Sequence, residues 1–392
     1  MTLKEYINAI FRVAMRQIRM MTRNHIYLFS IVIFPLLVSF FFADLMKDGL
    51  PTDMPVGIVD LDNSSTSRKM ARSLDAFQEV KIIEGYHSVD AARKAMQRGE
   101  IYGYFLFPEK MNDDLLANRQ PTVSFYYNSG YLIAGSLVYK DMRTIATLGS
   151  AAVGAAKLSM LGKTDREIKN TIQPIMVSSV MVHNPTMDYN VYLSTTLIPT
   201  CLGIFIFLVT AYSIGTELKF GKSKQWLQEA KGNIYVAMLG KMLPQTLLFM
   251  IITSLYIIWL FGVLQFPHSC PIWLLLLNGL IFVVAAQGFG IFIFGIIPSL
   301  RMSMSICALW SVVSFSICGF TFPVEAMDAP LRMVSWLFPV RHYFMIYQMV
   351  SLNGYPLIYA WPHYIALLVF ALLPFFVLPK IKNAMLHYVY IP

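Results

Sequence analysis

The chain has 392 residues, of which 56% are hydrophobic and only 14% charged. Soluble domains carry about 25% charged residues, so an ordinary soluble enzyme is excluded and most of the length belongs in lipid. The 28 Phe and 21 Tyr suit lipid-facing surface and interfacial aromatic belts. A formal charge of +9 raises the question of a nucleic-acid or anionic-lipid partner, and the position of each charge decides between them.

Residues 1–25 read as an amphipathic helix. Ile7, Ile10, Phe11, Ala14, Ile18 and Met21 recur at helical spacing, with Lys4, Arg12, Arg16, Arg19 and Arg23 elsewhere on its surface. A helix of this kind lies in the membrane interface rather than crossing it. Residues 26–43 then form an apolar run, long enough to span the hydrocarbon core, which takes about 18 residues or more. The long charged leader and the lack of a small-x-small site after the run argue against a cleaved signal sequence.

Segment 44–190 reads as a folded α/β domain. Strand-like PVGIVDLD (55–62), VKIIEG (80–85), IYGYFLFP (101–108) and TVSFYYN (122–128) alternate with helical stretches 64–77, 88–99, 109–119 and about 130 to 162. Such alternation predicts a small sheet covered by helices. Asp60, Asp62 and Asn63 form its best polar cluster, and DLDNSS after a strand is turn and N-cap chemistry before it is a cation site.

Five more apolar runs follow, at 191–215, 242–264, 272–297, 302–322 and 357–378. Pro35, Pro199, Pro244 and Pro374 fall inside spans, where neighbouring helices can satisfy the backbone groups they free. Lys and Arg concentrate on one side: in the leader, in 216–241, at Arg301, and at Lys380 and Lys382. Segment 44–190 is nearly balanced, with 16 basic and 17 acidic residues. The positive-inside rule then puts both termini in the cytoplasm and 44–190 outside. Because the basic excess sits in membrane flanks, anionic lipid is the partner it fits, and not nucleic acid.

No energy source is visible in the chain. GTELKFGKS (215–223) resembles a phosphate loop but has five residues between its glycines where the motif needs four. The runs hold no Asp or Glu, so no proton relay is legible. Lys241 sits at a span end, where it can snorkel, and Asn278 and Gln287 can join helices. Cys201, Cys270, Cys307 and Cys318 make no metal or disulfide pattern. No hydrolase elbow, HExxH or His/Cys ligand set occurs. A transporter that borrows its power from a partner is the reading that remains.

Four segments in order carry a family resemblance: VGIVDLDNSSTSRKMARSLDAF (56–77), RGEIYGYFLFPEKMNDDLL (98–116), ELKFGKSKQWLQEAKGNIYVAMLGKMLP (217–244) and SICGFTFPVEAMDAPLRMVSWLFPVRHY (316–343). With them the chain resembles the ABC-2 type permeases that have a large external domain between the first two spans. Lys222 stands where the family usually has Thr, and Lys231-Gly232 near its usual Pro.

The resemblance implies a fold and a set of roles. The fold is an α-helical membrane protein of six transmembrane helices, like the type V exporters, with an inserted extracytoplasmic α/β domain. Segment 217–231 would be a coupling helix docking on a separate ABC ATPase, with Glu217 and Gly221 as motif positions and Trp226 and Leu227 as apolar anchors. The region 323–352 would form re-entrant helices at an outer gate, involving Gly319, Phe320, Pro323 and Pro339. Thr195, Thr196, Thr200, Ser303, Ser311, Ser314 and Ser316 on the second and fifth spans would line the substrate pathway.

In such a system this chain binds no cofactor, and the partner ATPase uses ATP and Mg. A second permease copy or paralogue completes the membrane part, in the bacterial inner membrane. A periplasmic adaptor and an outer-membrane channel are further partners to look for. An apolar or amphipathic cargo, such as a drug or lipid, suits spans without acidic residues. The rival class is a receptor or scaffold whose external domain binds a ligand, and it should show a signalling module. A lipid-modifying enzyme has only Arg341-His342 to recommend it, which reads as an interfacial pair.

Overall fold

The computed structural model describes residues 3–47, 49–184, 187–388 and 390. The chain divides into two compact units, Met1–Lys47 with Met181–Pro392, and Asp48–Val180.

The smaller unit is built on a four-stranded sheet of order β2-β1-β3-β4, with β1 at Met54–Asp60, β2 at Val80–Ile83, β3 at Gly103–Phe107 and β4 at Ser124–Tyr127. β1 pairs in parallel with β2 and β3, and β4 runs antiparallel to β3. Parallel strands need both faces covered. Val56, Ile58, Phe105 and Phe107 pack with Leu74, Leu137, Val138 and Met142 on one face, while Val59 and Tyr104 meet Ala92 and Ala95 on the other.

The DLDNSS segment is a turn. Asp60 Oδ1 accepts from the backbone N–H groups of Asp62 and Asn63 at 3.1 and 2.9 Å, and its Oδ2 accepts from Ser67 Oγ at 2.6 Å. Ser64 caps helix Ser65–Asp75 through a reciprocal box with Ser67.

One group in this unit breaks the rules of burial. Asp141, on helix Leu132–Met160, is buried beside Val138 and Met142, and among the described residues neither carboxylate oxygen has a hydrogen-bond partner. Burial, reinforced by Glu79 and opposed by Lys140, pushes its pKa up from 3.8 to about 6. The folded state therefore binds this proton more tightly than the unfolded chain. The group's ionisation costs stability progressively as pH rises through the window between those two values, and the loss is complete above it. With partial solvent screening allowed for, the loss is about 1–2 kcal/mol. Asp141→Asn should flatten that acid-side slope and raise stability near neutral pH. Resistance of residues 48–180 to proteolysis in the full-length protein, followed across the same window, checks this; an unchanged slope in the variant rules it out.

Among the described residues, the larger unit contains six helices long and apolar enough to cross a membrane: His25–Leu45, Tyr189–Lys219, Ile234–Val263, Ile272–Ile296, Leu300–Ile317 and Leu357–His387. The second and fourth are the most enclosed by protein. Side-chain caps fix where several begin: Asn24 accepts from Ile26 N, Asp188 from Asn190 N, and Asn233 from Tyr235 N. The third span starts at Ile234, about two helical turns before the apolar run read from 242, and the second continues through Lys219. The fifth ends at Ile317 because Gly319 turns the chain with φ of +100° and Pro323 follows.

Close contacts hold the bundle. A Cβ at Gly288 would sit 2.3 Å from the Phe370 carbonyl, so only glycine lets the fourth and last spans meet there. Asn278 accepts from Tyr364 OH at 2.7 Å, and Gln287 accepts from Thr246 Oγ1, so both amides join helices. The N-terminal helix Leu3–Arg23 packs along the third span with Ala9, Val13 and Gln17 buried; Gly240 admits the Ile10 carbonyl, which would lie 2.8 Å from a Cβ. Ile7, Phe11 and Ile18 remain exposed on another stripe of that helix.

Candidate functional site

The turn after the second span is set by backbone geometry. Gly221 has φ of +66°, and the N–H groups of Gly221 and Lys222 return to the carbonyls of Leu218 and Glu217, closing the helix end. The short helix Ser223–Glu229 follows, then Lys231 and Gly232 turn the chain again into the third span. Glu217 thus lies in the last turns of the second span, outside the short helix, and the predicted helix 217–231 contracts to seven residues.

Trp226 and Leu227 are buried within the chain's own core, together with Ile214, Ala237 and Met238. The indole N–H of Trp226 donates to the Ala237 carbonyl at 3.2 Å. These side chains seat the short helix on the third span. They offer no apolar surface to a partner, which corrects the sequence expectation. A helix of seven residues has one apolar face, and its own spans occupy that face.

Beneath Trp226 lies a cluster of charges that the sequence reading did not find. Lys241 Nζ donates to Glu217 Oε1 at 2.6 Å and to Gln17 Oε1 at 3.0 Å, and stands 5.2 Å over the Trp226 ring. Arg16 grips the same carboxylate with two bonds of 2.8 Å, and its Nε lies 3.6 Å from Glu229. Glu217 and Lys241 are almost completely buried. Lys241 therefore does not snorkel: its helix begins too early for the side chain to reach the end, and a carboxylate meets it inside. Four segments converge here, namely the N-terminal helix, the second span, the short helix and the third span. One turn deeper, Gln245 Nε2 donates to Ser213 Oγ at 2.7 Å, linking the second and third spans again.

The remaining sequence candidates divide in two. Thr195, Thr196, Thr200, Ser303, Ser311 and Ser314 are buried in the bundle, and all but Thr196 bond a carbonyl of their own helix, as Thr200 does with Thr196 at 2.8 Å. Hydroxyls turned to their own backbone pack helices, and among the described residues Thr196 Oγ1 is left without a hydrogen bond. Ser316 alone is exposed, on a stripe of the fifth span with Arg301, Ser305, Leu309 and Val312.

Gly319, Phe320, Pro323 and Pro339 belong to a second constellation. Phe320 stacks on Tyr192 at 4.3 Å, and its carbonyl accepts from Tyr192 OH at 2.9 Å. Pro323 precedes a single turn, Val324–Ala326, and Pro339 opens helix Pro339–Ile346. Arg341 and His342 are buried here: Arg341 donates to Ser335 Oγ, and His342 lies between the Trp336 carbonyl at 2.9 Å and His363 Nδ1 at 3.0 Å. A carbonyl only accepts, so His342 carries its proton on Nε2, and its Nδ1 accepts from His363 Nδ1–H. The broken region after the fifth span is thereby tied to the last span.

Buried ion pairs are costly to break from one side because the surviving charge loses its partner, by about 3–5 kcal/mol. Glu217→Ala strands Lys241 and should cost that much, whereas Lys241→Met leaves Glu217 on Arg16 and should cost about 1–2 kcal/mol. Thermal unfolding of the detergent-solubilised variants measures the order, and equal losses would contradict the shared-carboxylate geometry.

Comparison with known proteins places this arrangement. A 23% identity over 182 residues relates the chain to the probable multidrug ABC transporter permease YbhR of Escherichia coli strain K12, and equally to that of Escherichia coli O157:H7. The match covers 46% of this chain and 48% of the relative, so it spans about half the length of those curated relatives. The model of the ABC-2 family transporter proteins matches residues 25–378, from the first span to the last. The chain belongs to the ABC-2 family of transporter proteins.

Proposed function

We propose that this chain is the permease subunit of an ATP-driven exporter, powered by a separate ABC ATPase that uses ATP and Mg and docks on helix Ser223–Glu229. The observation that carries this reading is the clamping of that helix. Trp226 fixes it to the third span, Glu229 approaches Arg16, and Arg16 and Lys241 share Glu217 at the end of the second span. A push on the short helix is therefore delivered to two spans and the N-terminal helix together.

In this reading the docking surface is the helix's outward face, where Lys224, Gln225 and Gln228 are exposed beside Phe220. Two copies of the permease, or this chain and a paralogue, would enclose the pathway. The exposed stripe Arg301, Ser305, Leu309, Val312 and Ser316 on the fifth span is its best wall, and the segments around Phe320 and Pro339 would close the outer end. The probable multidrug role of the Escherichia coli relative and the lack of acidic groups on that stripe favour an apolar or amphipathic cargo. Lys224→Glu combined with Gln228→Glu should abolish co-purification of the ATPase while the permease still elutes as a monodisperse species. Retained co-purification would defeat the docking assignment.

The same reading puts both termini in the cytoplasm and unit 48–180 outside. Cys270, which would have reported the loop after the third span, is buried; His268 is exposed. With native cysteines replaced, His268→Cys should react with an impermeant thiol reagent in intact spheroplasts. Labelling that requires lysis would invert the topology.

A further inference from the structure

The flank of the clamp carries more positive charge than it uses. Arg12, Arg16, Arg19 and Arg23 fall at successive helical intervals of four, three and four residues, so they share one face of the N-terminal helix. They line an open cavity of about 800 Å³ between that helix and the turn after the second span. Lys222 adds a fifth cation, and Glu217 and Glu229 are the acidic residues on its wall. Both carboxylates face Arg16, and Glu217 also holds Lys241. Among the described residues, Arg12, Arg19, Arg23 and Lys222 form no ion pair.

Four unmatched cations around one hollow repel each other unless an anion enters it. Guanidinium groups present donors in a planar fork that fits phosphate oxygens. The cavity wall is also apolar in part: Phe11 and Phe220 are mostly exposed, and Phe11 continues into the open stripe with Ile7 and Ile18. Phosphate-binding groups beside an exposed apolar stripe match a molecule with a charged head and a hydrocarbon tail. A free phosphate would use the arginines but leave Phe11 and the stripe it continues without a role.

We propose that this cavity is a binding site for the phosphate-bearing headgroup of an anionic lipid, held by Arg12, Arg19, Arg23 and Lys222 with its tails passing Phe11. Arg16 is not part of the site, because Glu217 already claims it. A lipid seated there would rest against the short helix through Lys222 and Gln225, and would brace the clamp from outside. The assignment stands whichever side of the membrane this end of the bundle faces and whichever subunit docks on it.

The test uses the full-length chain extracted from mixed phosphatidylglycerol and phosphatidylcholine bilayers and examined by native mass spectrometry. Phosphatidylglycerol should be retained over phosphatidylcholine by about tenfold, as expected for several basic groups acting together. R12Q/R19Q/R23Q should lose the enrichment, while K380Q/K382Q, which removes two cations from another basic flank, should keep it. The single variants R12Q, R19Q and R23Q each spare the Arg16–Glu217 clamp and should each lower the enrichment about twofold to threefold; no effect in any of them overturns the site. Inorganic phosphate, added at constant ionic strength, should leave the retained lipid in place; if it strips the lipid as completely as the triple variant does, the site is one for free phosphate. Unchanged lipid enrichment in the triple variant, accompanied by loss of the ATPase, would assign the arginines to a protein surface and refute the proposal.

Discussion

The carboxylate of Glu217 is the constraint on which one end of the bundle depends. It is buried, it is charged, and it is held from both sides by Arg16 and Lys241. An ionised carboxylate in apolar surroundings costs several kcal/mol unless its hydrogen bonds are complete. That cost dictates geometry. The N-terminal helix must bring Arg16 and Gln17 to the cluster, so it packs against the third span, and Gly240 leaves it room. The third span must extend to Ile234, so that Lys241 is well inside the helix and not at its end.

Compared with a well-packed apolar core of the same volume, such a cluster gives little net stability. Its effect is directional. Leu or Phe side chains can slide past one another at small cost, while a bidentate Arg–carboxylate pair has one arrangement. If the proposed docking on the short helix holds, ionic contacts at this point would pass a displacement onward with less slip than apolar ones. Trp226 completes the fixture by filling the space above Lys241 and donating to Ala237.

The sequence was readable where its signal is long and repetitive. Six apolar runs give six membrane-length helices, because a bilayer demands that many consecutive apolar residues and nothing else in this chain imitates them. The strands at 54–60 and 103–107 fall close to the ranges that alternation assigned. What could not be read is which face a short element presents. Trp226 and Leu227 look like partner anchors in isolation, yet a seven-residue helix has too few turns for periodicity to tell an inward face from an outward one. Lys241 looked terminal because the apolar run begins after it. Glu217 falls to the coupling helix in the sequence because the apolar run ends before it. Each alone violates the hydropathy rule, and only together do they satisfy it. A cation about two turns inside one helix start, and an anion near the end of the preceding helix, were the signal available.

The polar groups above the cluster show how far its influence extends. Ser213 and Gln245 join the second and third spans, Thr246 reaches Gln287 on the fourth, and Asn278 on that span meets Tyr364 on the last. The most enclosed helices thus carry a sparse ladder of side-chain hydrogen bonds through an otherwise apolar interior. In lipid-like surroundings such bonds are worth about 0.6 kcal/mol each, so no single rung holds the bundle. Their spacing matters more, because helices joined at several heights tilt as units instead of bending at one contact. Among the described residues the seam between the second and fifth spans shows no such rung: its buried hydroxyls, from Thr195 to Ser314, bond mostly to their own helices. Close packing holds this seam instead, with Leu300 seated against Gly215, and it borders the exposed stripe that ends at Ser316.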